Sequence, residues 1–293
     1  MSAAAPGSVP GAVAPRLAFG ERLRPFRAAF ESRFSSMLQY RSAALAGFAT
    51  QCWWGGIKVM ILAAFFRGGD AAAPLSLADA VTYIWLTQAL FALLPWLADS
   101  EVALNVRTGA IVYDRLRPVD AYALLFARGL GWLVARTLPR AALLVSVAAL
   151  GLPLLGAQRW ALGAPHGAAG GVCFAVSLGL AALLSTAVLM LSSAAVIALG
   201  TDRGVVALVP SIVLVFSGNL LPLSLFPDSL AALLLLQPFA GLLDIPLRLY
   251  TGQVSGAPAV AVLGLQLAWL VLLVALGRRA VARALERLEV HGG

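Results

Sequence analysis

GVCFAVSLGLAALLSTAVLMLSSAAVIA, residues 171–198, decides the fold class: it holds no Asp, Glu, Lys or Arg. At 1.5 Å per residue, a helix of this length exceeds the ~30 Å hydrocarbon core of a bilayer. Upstream, ALGAPHGAAGG at 161–171 reads as a loop through its glycines and proline. Working outward in both directions, the apolar runs predict spans near 43–66, 80–98, 134–155, 171–198, 204–220 and 258–276. A further run, 229–243, is too short to cross and lies between Pro227 and Pro246. The expected fold is therefore an all-α integral membrane protein with six transmembrane helices.

Composition agrees. Hydrophobic residues make up 61% of the 293 residues and charged residues 12%, with a mean hydropathy of +0.90. A soluble chain needs roughly twice that charged fraction to cover its surface. The net charge of +8 is no footprint of nucleic-acid binding, because the arginines fall at the ends of apolar runs. With six spans both termini share one side. Placing them inside leaves only Arg67, Arg159 and Arg248 in the outer segments. That asymmetry predicts cytoplasmic termini by the positive-inside rule. Cys52 and Cys173 lie in apolar runs and form neither a disulfide framework nor a zinc site. Residues 1–15 lack the features of a secretory signal and read as a short disordered leader.

Residues 16–42 carry Leu23, Phe26, Phe30, Phe34 and Met37 at steps of three and four, which predicts an amphipathic helix lying in the membrane interface. Such a helix is either an anchor or an elbow that moves with a partner. Between spans two and three, residues 99–121 open on Asp99, Ser100 and Glu101, which suit a helix start. Gly109 interrupts that segment and Pro118 ends its second half. Arg128, Arg136 and Arg140 then predict a shallow helix slanting into span three, its arginines snorkelling to headgroups. On the other side, residues 217–247 are apolar enough to enter the bilayer but are cut by Pro222, Pro227, Pro238 and Pro246. Irregular backbone at membrane depth survives only where protein or a wet cavity satisfies it, so this segment is expected to be a re-entrant helical hairpin, with Asp228 capping its second helix. The tail, 277–293, is helical in pattern, with Val281, Ala284, Leu285 and Leu288 on one face.

The chain has no phosphate-cradling G-x-x-x-x-G-K-[ST] motif, and its single lysine, Lys58, sits in span one. His166 and His291 lie too far apart in the topology to share a metal. No cofactor or metal is expected on this chain, and no catalytic residue. Lys58 lies about 12 Å along the helix from Phe66. It either lines a translocation path together with Trp53 and Trp54 or reaches the outer headgroups; Gly55 and Gly56 permit close helix approach there.

Taken together, six spans, an amphipathic leader helix, a charged segment after span two and a Pro-rich hairpin before span six resemble the permeases of the second class of ATP-binding-cassette exporters. NVRTGAIVYDRLRPVDAY is similar to that family's coupling segment through Arg107, Gly109, Ile111, Leu116, Arg117, Pro118 and Asp120. FSGNLLPLSLFPDSL and the following PF are similar to its outer hairpin through Ser217, Gly218, Pro222, Leu223, Phe226, Pro227, Pro238 and Phe239. RALERLEVHGG is similar to the ending of one subgroup through Arg287, Leu288, Val290, Gly292 and Gly293. The resemblance implies a permease in a bacterial inner membrane, paired with a second permease copy or relative. The energy would come from a cytoplasmic ATPase dimer that holds the ATP and magnesium. Asp99, Glu101, Arg107, Gly109, Asp114, Arg117 and Pro118 would couple to that ATPase. Ser217, Gly218, Asn219, Pro222, Phe226 and Pro227 would form the outer gate, and the cargo would be amphipathic or apolar. Two rivals remain. An ion-coupled carrier would need acidic or histidine relays within the spans. A lipid-modifying enzyme would need a polar constellation at one interface, for which Asp99, Glu101, Asp114 and Asp120 are the available acids.

Overall fold

The computed structural model describes residues 19–67, 75–96 and 99–287, apart from the side chains of Phe19, Arg67, Arg115 and Asp228. The leader and the closing residues Leu288, Val290, Gly292 and Gly293 lie outside the described residues. Those that are described form helices and no strand. In chain order they are α1 (Phe19–Leu38), α2 (Arg41–Arg67), α3 (Leu77–Leu90), α4 (Ser100–Arg107), α5 (Val112–Leu116) and α6 (Ala121–Ser146). After these come α7 (Gly167–Leu199), α8 (Arg203–Phe216), α9 (Asp228–Leu236), α10 (Asp244–Tyr250) and α11 (Ala257–Glu286).

Among the described residues, four helices are long and apolar enough to cross a bilayer: α2, α6 with its continuation to Leu154, α7 and α11. The runs expected as spans two and five are shorter helices, Leu77–Leu93 and Arg203–Phe216. For α3 the reason is visible in its packing. All its residues from Ala80 to Leu90 are buried, so protein, not lipid, surrounds it on every side. Its helix tightens into a 3-10 turn at Phe91–Leu93 and stops before Pro95.

Span three and the segment expected to slant into it are continuous. They form one helix from Ala121, in which a π-turn at Val147–Gly151 is absorbed before the end at Leu154. Asp120 starts it by accepting a hydrogen bond from the Ala123 amide at 2.6 Å. α7 packs along α11, and α1 lies lengthwise on α6. The second of these contacts is close because Gly131 has no side chain; a Cβ there would come within 2.6 Å of the Phe30 carbonyl oxygen. The core is continuous but regional. Tyr122, Trp132, Leu133, Met190 and Val281 fill the end near α4 and α5, whereas Tyr83, Leu184, Leu243 and Leu247 pack where α3, α7 and α10 meet. The outward faces of α2, α8 and α11 carry Ile61, Phe65, Leu208 and Val271, all exposed. Apolar side chains on an outer surface of this extent mark contact with lipid or with another chain.

Candidate functional site

Two regions carry the polar chemistry. The first is built on α4 and α5. Asp99 caps α4 as the sequence predicts, accepting from the Glu101 amide at 3.0 Å. The same carboxylate takes a hydrogen bond from Arg33 of α1 at 2.8 Å, and Arg33 also pairs with Glu101. Asp114 of α5 is buried and bound at both oxygens by Arg128 of α6, at 3.0 and 3.4 Å, with Arg117 at 3.6 Å. Asp120 meets Arg278 of α11 at 2.5 Å. The segment 99–120 is therefore braced by α1, α6 and α11.

Its outward surface is different. Leu104 is 52% exposed, Tyr113 68% and Leu116 75%, interleaved with exposed Arg107, Arg117 and Pro118. Gly109 sits between α4 and α5 at φ +72°, the left-handed region that favours glycine, and faces open space. Val102 and Ala103, on the opposite side of α4, are buried against the core. The result is an apolar-basic ridge on a salt-bridged base. A cavity of about 550 Å³ separates this base from α1, lined by Ser32, Arg33, Glu101, Pro118 and Arg128 among others.

The three arginines of α6 each find a partner within the protein. Arg128 holds Asp114. Arg136 donates to the carbonyls of Ala92 at 2.6 Å and Leu94 at 2.7 Å, stacked over Trp132. Those carbonyls are freed where α3 ends, so Arg136 acts as a helix C-cap supplied from a neighbouring helix. Arg140 donates to the Ala43 carbonyl of α2 at 3.1 Å.

The second region is the hairpin after α8. Gly218, at φ +82°, lets the chain turn under Tyr83; a Cβ there would lie 2.5 Å from the tyrosine oxygen and 3.0 Å from the Asp244 Cβ. The Tyr83 hydroxyl donates to Asp244 at 2.8 Å and lies 3.1 Å from the Gly218 carbonyl. Asp244, fully buried, also accepts from the Leu223 amide at 3.0 Å. Its Oδ2 lies 3.9 Å from Arg248 one turn along α10 and has no hydrogen-bond partner within the protein. Ser217 Oγ, Asn219 Oδ1 and Arg248 Nε share that condition. The Asn219 carbonyl accepts from Lys58 at 2.6 Å, so Lys58 ties α2 to the hairpin. A cavity of about 140 Å³ beside Lys58 includes Thr87, Asn219 and Pro222 but neither Trp53 nor Trp54. Both tryptophans stand on the outer surface, 70% and 53% exposed, so the structure does not bring them together with Lys58 in one cavity.

Phe226 and Pro227 stand further along the hairpin, and α9 begins at Asp228 itself, with Pro227 in the cap position one residue earlier than expected. A buried hydrogen-bonded trio, Ser177, Gln266 and the Gly241 carbonyl, fastens the far limb of the hairpin to α7 and α11. Sequence reading passed over Tyr83, Asp244, Gln266 and Arg33. Only the Asp244–Arg248 spacing of four, in an otherwise apolar stretch, gave a signal for any of them. Among the described residues no group of three His, Cys, Asp or Glu is placed to hold a metal ion.

Several span-length apolar helices, a braced charged platform and a proline-cut hairpin define a polytopic helical membrane protein with two specialised ends. The chain belongs to the ABC-2 family of transporter proteins, whose family model matches residues 53–292. No curated protein and no solved structure matches it. Membership makes the chain a membrane-embedded transport component and implies partnership with an ATP-binding-cassette ATPase.

Proposed function

We propose that the chain is the permease subunit of an exporter that moves an amphipathic or apolar cargo outward, driven by a separate cytoplasmic ATPase dimer, in an assembly with two membrane subunits. The observation that carries the reading is the ridge Leu104–Arg107–Tyr113–Leu116–Arg117, exposed and apolar-basic on a base fixed by three arginines from other helices. An ATPase surface that receives this ridge has something rigid to push. Force on α4 passes through Arg33 to α1, which lies along α6, and through Asp120 and Arg278 to α11. The arginine-rich end would face the cytoplasm, by the same asymmetry that places both termini there. With α3 and α8 counted as crossings, shortened because protein and hairpin complete their path, the chain has six spans. In this reading the hairpin from Ser217 to Pro227 is the outer gate, held through Lys58 and Tyr83.

The carboxylates of the platform are engaged in capping and ion pairs, which gives them structural work in place of an enzyme's acid–base role. Buried Asp244 is the one feature that favours the ion-coupled alternative, because a carboxylate at that depth is what such a carrier needs. The test is co-purification and reconstitution. Leu116→Asp with Arg117→Glu should abolish capture of the ATPase and ATP-dependent transport while leaving the permease folded. Transport that follows a proton gradient and persists without nucleotide would replace this reading with the carrier.

A further inference from the structure

A second groove lies beside the platform, between α1, α6 and α11. It measures about 670 Å³, and its wall is apolar: Phe26 and Phe30 from α1, Phe126 and Leu130 from α6, Leu270 and Val274 from α11. Three polar groups line it. Arg27 and Arg278 have exposed side chains, paired with Glu31 at 2.7 Å and Asp120 at 2.5 Å. Tyr122 is 94% buried (6% exposed), and its hydroxyl has no hydrogen-bond partner in the protein. A buried hydroxyl without a partner is destabilising unless something else supplies one. Of these residues the coupling and gating roles use only Arg278, through its Asp120 pair.

We propose that this groove binds one anionic phospholipid, its acyl chain against the phenylalanines and leucines and its phosphate between Arg27 and Arg278, with Tyr122 donating to a phosphate or ester oxygen. The chemistry matches at each point. The wall is too apolar for a polar solute. Two guanidiniums on opposite walls provide a fork for phosphate oxygens. Their present partners are exposed ion pairs, which contribute little and exchange readily. The cation over the Tyr122 ring, 5.6 Å from its centre, brings Arg278 to the same corner as the orphaned hydroxyl. Because α1 is the helix that Arg33 joins to α4, the lipid would fill the gap between the lever and the bundle. The proposal needs only a membrane-embedded chain and stands whether or not the ATPase reading does.

The experiment titrates the full-length chain, purified in detergent, with phosphatidylglycerol and with phosphatidylcholine of the same acyl composition, and reads bound lipid by native mass spectrometry. Phosphatidylglycerol should bind preferentially. Arg27→Gln with Arg278→Gln should weaken it about thirtyfold, roughly fivefold for each cation removed. Arg27→Lys with Arg278→Lys, which keeps the charges, should retain most of the binding and controls for loss of the Asp120 pair. Tyr122→Phe should weaken both lipids by a smaller factor, and Leu130→Trp, which fills the groove, should reduce both while the helical signal stays unchanged. Equal binding of the two lipids, or phosphatidylglycerol binding that survives the double glutamine variant, would overturn the proposal. So would a photoreactive group at Leu130 that crosslinks to residues of the same chain instead of to lipid.

Discussion

The two ends of the molecule handle charge in opposite ways. On the platform, Asp99, Glu101, Asp114 and Asp120 each meet an arginine from another helix. In the hairpin, Asp244 is the most buried carboxylate of the two regions, yet its arginine stands 3.9 Å away on its own helix. Ser217 Oγ and Asn219 Oδ1 nearby lack protein partners. On the platform, buried Asp99 and Asp114 are met by arginine hydrogen bonds, and only the exposed Asp120–Arg278 pair is screened and remade at small cost. The hairpin's groups sit in apolar surroundings, where an incompletely paired polar atom is expensive. The difference leaves the platform's carboxylates paired across helices and the hairpin's observed arrangement only partly satisfied.

The largest effect expected from testing this contrast is at Asp244. Asp244→Ala removes the acceptor for Tyr83 and the Leu223 amide and leaves Arg248 without its carboxylate. Removing one partner of a buried pair costs about 3–5 kcal/mol, so a marked fall in thermal stability in detergent is expected. If stability is unchanged, the hairpin is not held through this carboxylate. Next comes Gly218→Ala, which combines a left-handed backbone with a contact on Tyr83. It should lose about 1–3 kcal/mol and disturb transport more than binding of an ATPase. Arg33→Gln leaves two carboxylates unpaired at the start of α4 and should cost about 1–2 kcal/mol, with hydrogen exchange rising in α4 and not in the hairpin.

Legibility in the sequence divides along the same line. The start of α4 at Asp99, its break at Gly109 and the apolar stripe of α1 were all legible, because capping, left-handed turns and helical periodicity act over a few residues. The buried face of the last helix was legible for Val281, Ala284 and Leu285 for the same reason. The centrality of α3 was not. A helix buried on all sides by protein has the same charge-free composition as one buried by lipid, and hydropathy cannot separate them. Nor were the partners of Arg136 visible, since the carbonyls it caps are freed only by the unwinding of a different helix. Asp244, Tyr83 and Gln266 act across separations that local patterns do not encode.

The smallest stability effect carries the sharpest functional consequence. Leu116 and Tyr113 are largely exposed and make no core contact that replacement would break. Leu116→Ser should change unfolding by no more than about 0.5 kcal/mol, the ordinary range for surface positions. If the ridge is where an ATPase docks, the same substitution removes an anchor from the middle of an interface, and a central apolar anchor is worth about 2 kcal/mol or more. ATPase capture by the permease should then fall roughly thirtyfold while melting stays the same. A substitution that leaves both unchanged would mean that the exposed leucine faces lipid or solvent and that the braced base supports something other than coupling. The contrast between an unchanged fold and a lost partner separates a docking ridge from a surface that is apolar by accident of composition.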